Sequence, residues 1–112
     1  MISSDIIRGH LDAIILKLIL EKDRYGYEIS KEISQRTNNM FEIKEATLYA
    51  VFQRLEKNRF IVSYSGEITH GRTRKYYKIT AQGTEHFKEK LKEWELTKKI
   101  INTLMEDKKW LL

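Results

Sequence analysis

Residues 45–57 read EATLYAVFQRLEK, and residues 70–80 read HGRTRKYYKIT. In the first, Leu48, Val51, Phe52 and Leu55 fall at i, i+3, i+4 and i+7, the stripe of a helix with one buried face. Steps of about 100° per residue put Ala46, Thr47, Ala50, Gln53, Arg54 and Lys57 opposite, with Tyr49 on the flank. Two alanines there let backbone come close to another surface. The second stretch sets Arg72, Arg74, Lys75 and Lys78 around Tyr76 and Tyr77, with no acid between Ile68 and Thr84. A polar helix for a groove and a cationic ribbon for phosphates are the two parts by which a winged helix holds DNA.

The flanking sequence supplies the rest of such a fold. Ile6, Ile7, Leu11, Ile14, Ile15, Leu18 and Ile19 recur at three- and four-residue spacing and predict a first helix over 4–21, capped at Ser3 or Ser4 with Asp5. Lys22–Arg24 reads as a polar connection. A second helix is expected over 25–37, with Ile29 and Ile33 inward, Gly26 allowing close packing, and Thr37-Asn38-Asn39 ending it, since asparagine tolerates left-handed backbone. The third helix spans 44–58. Phe60–Ser65 and Arg74–Ile79 are β-prone and form a hairpin whose tip lies between Gly66 and Gly71. Tyr76 and Tyr77 alternate across their strand, so one should face the core. From Thr80, its cap, a long helix is predicted to about Lys108. The expected class is mainly α with a small β-hairpin: a winged helix-turn-helix over 1–80 and a carboxyl-terminal dimerisation helix over 81–112.

Composition narrows the function. The 112 residues carry 21 Lys and Arg against 16 Asp and Glu, a net charge of +5, which favours a polyanionic partner. Cysteine is absent, so neither disulfides nor thiolate-bound zinc are possible, in keeping with a cytoplasmic setting. The longest apolar run, Ala13–Leu20, is broken by Lys17 and too short to span a membrane. No secretory signal is expected. His10, His70 and His86 fall on different elements, and no phosphate loop or nucleophile motif is present. No enzyme activity, cofactor or metal is expected.

Within the third helix, Thr47 can meet a thymine methyl or a phosphate, and Gln53 and Arg54 can read base edges or phosphates. Tyr49 can donate to phosphate or pack on the second helix. On the last helix Phe87, Trp94 and Ile101 repeat every seven residues, widened by Leu91 and Leu104. So small a domain cannot cover that helix, and self-association is the expected partner for it. Trp94 then either packs plainly at the interface or lines a cavity between subunits.

YGYEI at 25–29, ATLY at 46–49, RLEK at 54–57, RKYYKIT at 74–80 and the following Gly83 resemble, in this order, the PadR family of transcriptional regulators. The resemblance runs from Gly9 to about Ile101. The short last helix, with W-x-x-x-K-K-I-I at 94–101, is similar to the compact, multidrug-sensing branch. It implies a homodimeric repressor of a transporter or stress gene, binding a pseudo-palindromic double-stranded operator. It implies that Thr47, Tyr49, Arg54 and Lys57 belong to the recognition helix, and that the wing carries Arg72, Arg74 and Lys75, beside His70. It further implies that Ala13, Lys17, Phe87, Leu91 and Ile101 surround Trp94 in a flat pore for planar aromatic ligands. Two residues depart from the pattern. The family's glycine after the recognition helix is Arg59 here, so Asn58 is expected to take the left-handed cap. An acid one turn after the tryptophan is Lys98 here, so a preference for cationic ligands does not carry over. The other reading the residues allow is a winged-helix protein-interaction module without a small-molecule effector.

Overall fold

The computed structural model describes residues 4–106. In chain order these form α1 (Ser4–Ile7), a 3-10 turn (Arg8–His10), α2 (Leu11–Glu21), β1 (Arg24–Tyr25), α3 (Gly26–Arg36), α4 (Glu45–Lys57), β2 (Ile61–Thr69), β3 (Arg72–Ile79) and α5 (Ala81–Met105). The sheet is antiparallel with strand order β1-β3-β2. Helices α2, α3 and α4 pack on one face of it, and α5 leaves the domain along α2.

Most of the core follows the apolar stripes read from the sequence, but Leu16, which that spacing did not mark, is fully buried, and Ile6, which it did, is 67% exposed. Ile15, Leu16 and Ile19 of α2, Ile29 and Ile33 of α3, and Leu48, Val51, Phe52 and Leu55 of α4 are buried together with Ile61 of β2 and Tyr77 of β3. Phe52 and Tyr77 stack with ring centroids 4.0 Å apart, joining the third helix to the hairpin.

Several boundaries differ from expectation. The first helix is not continuous over 4–21: a 3-10 turn at Arg8–His10 interrupts it. Gly9 sits at its centre, where the low helix propensity of glycine lets the bonding pattern change. The expected cap at Ser3 or Ser4 lies outside the described side chains, and the end of the last helix near Lys108 lies outside the described residues. Lys22–Arg24 is not merely a connection. Arg24 is a strand residue, only 6% exposed, and β1 pairs Arg24 with Tyr77 and Tyr25 with Tyr76. Its Nε donates to the Leu18 carbonyl at 2.8 Å, and its guanidinium reaches Glu21 at 3.0 Å and Glu32 at 3.5 Å. Burial of this cation is met by bonds on every side.

The hairpin is longer than the alternation predicted, because pairing continues through Gly66 to Thr69 past a bulge between Ser65 and Ile68. A Cβ on Gly66 would lie 2.2 Å from the Tyr76 ring, so glycine here serves the crossing of that ring and not a flexible tip. The tip itself is two residues. His70 and Gly71 have φ of 52° and 77°, the doubly left-handed turn whose twist suits a hairpin.

Helix ends follow capping rules, with one correction. Asn38 and Asn39 take φ of 51° and 63° after α3, as expected of asparagine. After α4 the left-handed residue is Arg59, with φ of 62°; Asn58 has φ of −85°. The Arg59 amide donates to Glu56 and the Phe60 amide to Leu55, both at 2.9 Å, so the closing motif requires the left-handed angle one residue later than Asn58. Thr80 caps α5 by accepting from the Gly83 amide at 2.9 Å.

Candidate nucleic-acid interface

The face of α4 away from the core carries the polar set chosen from the sequence. Ala46, Tyr49, Ala50, Gln53, Arg54 and Lys57 are exposed and Thr47 is half-buried. Arg8 and Leu11 border the same face and, with Ala46, Thr47, Ala50 and Arg54, line a shallow depression. Arg54 is not a free cation: its Nε and Nη2 donate to the two carboxylate oxygens of Asp12 at 3.0 and 2.5 Å. That bond raises the pKa of the guanidinium above its ordinary value. The Tyr49 ring meets Phe52 edge-on at 5.8 Å, and a Cβ on Gly26 would lie 3.4 Å from its hydroxyl oxygen. Its body therefore packs between α3 and α4 while nearly half its surface stays open.

On the hairpin, alternation sorts the cations by face. Arg74 and Tyr76 lie opposite the core with Tyr25 and Tyr64; Tyr77 faces inward. The guanidinium carbon of Arg74 is 4.5 Å from the centre of the Tyr25 ring, and Nη1 is 3.4 Å from Glu67. Tyr76 donates to the same carboxylate at 2.8 Å. Lys75 lies 3.8 Å from Glu56. The expectation of an uncompensated cationic ribbon is thus corrected. Glu67, just before the acid-free stretch, and Glu56, on α4, reach it through the fold. Arg72 and Lys78 are exposed and have no ion pair among the described residues. His70 contributes its backbone to the turn.

A second feature lies between α2 and α5. Ala13 and Lys17 of α2 and Phe87, Leu91 and Trp94 of α5 line one apolar groove of about 460 Å³. Ile33, Arg36, Phe41 and Lys90 also line it. Lys98 and Ile101 are outside this lining. The Lys98 Nζ is 5.9 Å from the centre of the Trp94 ring and 3.2 Å from Glu95, and Ile101 is exposed further along α5. His10 meets the indole edge-on at 5.1 Å. Lys17 and Arg36 are tied to Glu21, whose carboxyl they hold well below the usual range, Arg36 contributing most.

The model of the PadR-like family of transcriptional regulators matches residues 15–89, from α2 into α5. The chain belongs to the PadR family. Its likeness to solved regulators is close. A transcriptional regulator from Clostridium thermocellum is 55% identical, with a TM-score of 0.86 over 94% of this chain and 99% of that one. A PadR family transcription regulator from Clostridium difficile is 36% identical, with a TM-score of 0.75 over 87% of this chain and 99% of that one. An uncharacterized protein of Lysinibacillus sphaericus is 65% identical over 106 residues, 95% of this chain and 97% of its own. PadR proteins are DNA-binding transcriptional regulators and not enzymes.

In this PadR chain the sequence reading missed residues that only folding brings to the site. Asp12 and Arg8 reach the recognition face from the first helical segment, and Ile33, Arg36, Phe41 and His10 reach the groove or its tryptophan. Spacing within α4 or α5 contains no sign of them. The lone acid on the polar side of α2's first turn was the one available signal for Asp12. No described helix is long and apolar enough to cross a membrane.

Proposed function

We propose that this PadR regulator is a cytoplasmic, homodimeric repressor of a pseudo-palindromic operator, released by a planar aromatic ligand. Helix α4 enters the major groove through Ala46, Thr47, Gln53 and Arg54, while Tyr49 and Lys57 flank the reading surface. The wing lies along the flanking backbone. Arg72 and Lys78 supply the free positive charge there; Arg74 and Lys75 keep the ribbon in shape and add to its field. The observation that carries this reading is the pairing of a small-residue helix face with an adjoining basic hairpin in a chain of this family.

Support for the dimer is the bare apolar side of α5. Leu91, Trp94, Ile100, Ile101 and Leu104 are 41–75% exposed along a helix that otherwise contacts mainly α2. A stripe of that length is the kind of surface a second copy covers. The groove beside Trp94, with Ala13, Lys17, Phe87 and Leu91 in its lining, supports a planar ligand stacked on the indole; Lys98 and Ile101 lie further along α5, outside that lining. Bound ligand would alter the spacing of the two heads and disfavour the DNA-bound state to the extent that it binds that state less well.

The direct test is a gel shift on the DNA upstream of the protein's own gene, repeated at several salt concentrations and with planar dyes. A specific complex, steep salt dependence and release by dye are expected. Absence of any sequence-specific complex, with a protein partner recovered instead, would favour an interaction module over a repressor.

A further inference from the structure

We infer that Asp12 is a positioning residue for DNA reading: it fixes Arg54 so that the guanidinium's far end meets a guanine edge in the major groove. The inference rests on the reading of α4 as the recognition helix. Asp12 lies on the first turn of α2, 42 residues away in sequence. It takes the Nε and Nη2 donors of Arg54 side-on, at 3.0 and 2.5 Å. A guanidinium has five N–H donors in one plane. Those pointing away along Nη1 and the outer side of Nη2 have no partner among the described residues. This end-on pair is the one that matches O6 and N7 of guanine.

Burial supports a working role and not a buried tie. The Arg54 side chain is 51% exposed and that of Asp12 only 29%, so the acid stands behind the arginine and the arginine faces out. Around it, Ala46 and Ala50 offer no side chain that would hold DNA away, and Thr47 shares the depression. A long flexible side chain ordinarily loses rotamer freedom when it binds. Here a two-bond clamp has taken that loss during folding. The clamp also places a negative charge near DNA, which weakens binding to any phosphate backbone. A device that lowers general affinity while fixing one donor raises the ratio of specific to non-specific binding.

The test selects the preferred duplex from a randomised pool with the wild-type protein, then measures affinity for it and for an unrelated duplex. Asp12→Asn should lower the specific-to-non-specific ratio by about tenfold, the order of one good base contact, with non-specific affinity unchanged or raised. Arg54→Lys, which keeps the charge and loses the fork, should lower the ratio similarly. In an Arg54→Ala background, Asp12→Asn should leave the ratio where it is. The guanine bound by Arg54 should be the one whose replacement costs nothing further in Asp12→Asn. Thermal unfolding of each variant establishes that it is folded. An unchanged ratio in Asp12→Asn would overturn the inference, whatever Arg54→Lys does, as would an equal fall in the Arg54→Ala background. A uniform loss over all sequences in Arg54→Ala would place the side chain on phosphate, with the same consequence. Failure of the wild type to select any duplex would instead overturn the recognition-helix reading, and this inference with it.

Discussion

Arg59 occupies a backbone angle that suits glycine. Its φ of 62° is needed because the Phe60 and Arg59 amides close α4 on Leu55 and Glu56. A residue with a Cβ there costs about 1–2 kcal/mol, partly offset because glycine loses more freedom on folding. Arg59→Gly should therefore stabilise the domain by about 0.5–1 kcal/mol, read as a higher denaturation midpoint with unchanged slope. Glu21 gives a second prediction at this scale. Arg36 donates to both its oxygens, at 3.0 and 2.6 Å, and Lys17 to one at 2.6 Å, holding its folded pKa far below the ordinary 4.5. A depressed folded pKa stabilises fully above the unfolded value, and the benefit is lost as pH falls below about 4.5 toward the folded one. Melting temperature should fall between about pH 5 and about pH 3 in the wild type, and fall less over that range in Glu21→Gln.

At the scale of elements, the wing is the part whose chemistry changed most between sequence and structure. Glu67 and Glu56 neutralise part of it, leaving Arg72 and Lys78 as the wing cations without an ion pair among the described residues. Arg72→Ala and Lys78→Ala should each weaken binding to every duplex and reduce the slope of log affinity against log salt by about 1. Arg74→Ala should do less to that slope and more to the wing's stability, because Arg74 covers Tyr25. The junction of hairpin and α5 is similarly constrained. A Cβ at Gly83 would stand 2.0 Å from the Phe60 carbonyl oxygen, so Gly83→Ala should destabilise by about 2–3 kcal/mol. An unaffected melting temperature would mean that α5 can shift on β2 without loss.

For the whole molecule the question is what covers α5. Principal extents of 63 × 30 × 20 Å describe a domain with one long projecting helix. If a second copy covers it, charges placed at Ile101 and Leu104 will separate the subunits. Ile101→Asp with Leu104→Asp should sediment as a monomer and lose about tenfold or more in operator affinity, since half-sites are then bound singly. Retention of a dimer would move the interface elsewhere. Trp94→Ala should abolish binding of planar dyes followed by fluorescence. Retained dye affinity would remove the groove from the mechanism and leave the repressor reading standing.

The sequence by itself determined whatever depends on neighbours along the chain. The stripe Leu48-Val51-Phe52-Leu55, the asparagines after α3, the Thr80 cap and the Tyr76/Tyr77 alternation are local consequences of helix and strand periodicity, and each is present as read. The polar face of α4 followed from the same geometry. What the tertiary structure decided depends on contacts between distant residues. Pairing with β3 makes Arg24 and Tyr25 a strand, and bridging by Glu67 and Glu56 sets the charge of the wing. Folding of α2 against α4 puts Asp12 behind Arg54, across 42 positions. Periodicity ranks faces within an element; it carries no term for which acid of another element a given arginine will meet.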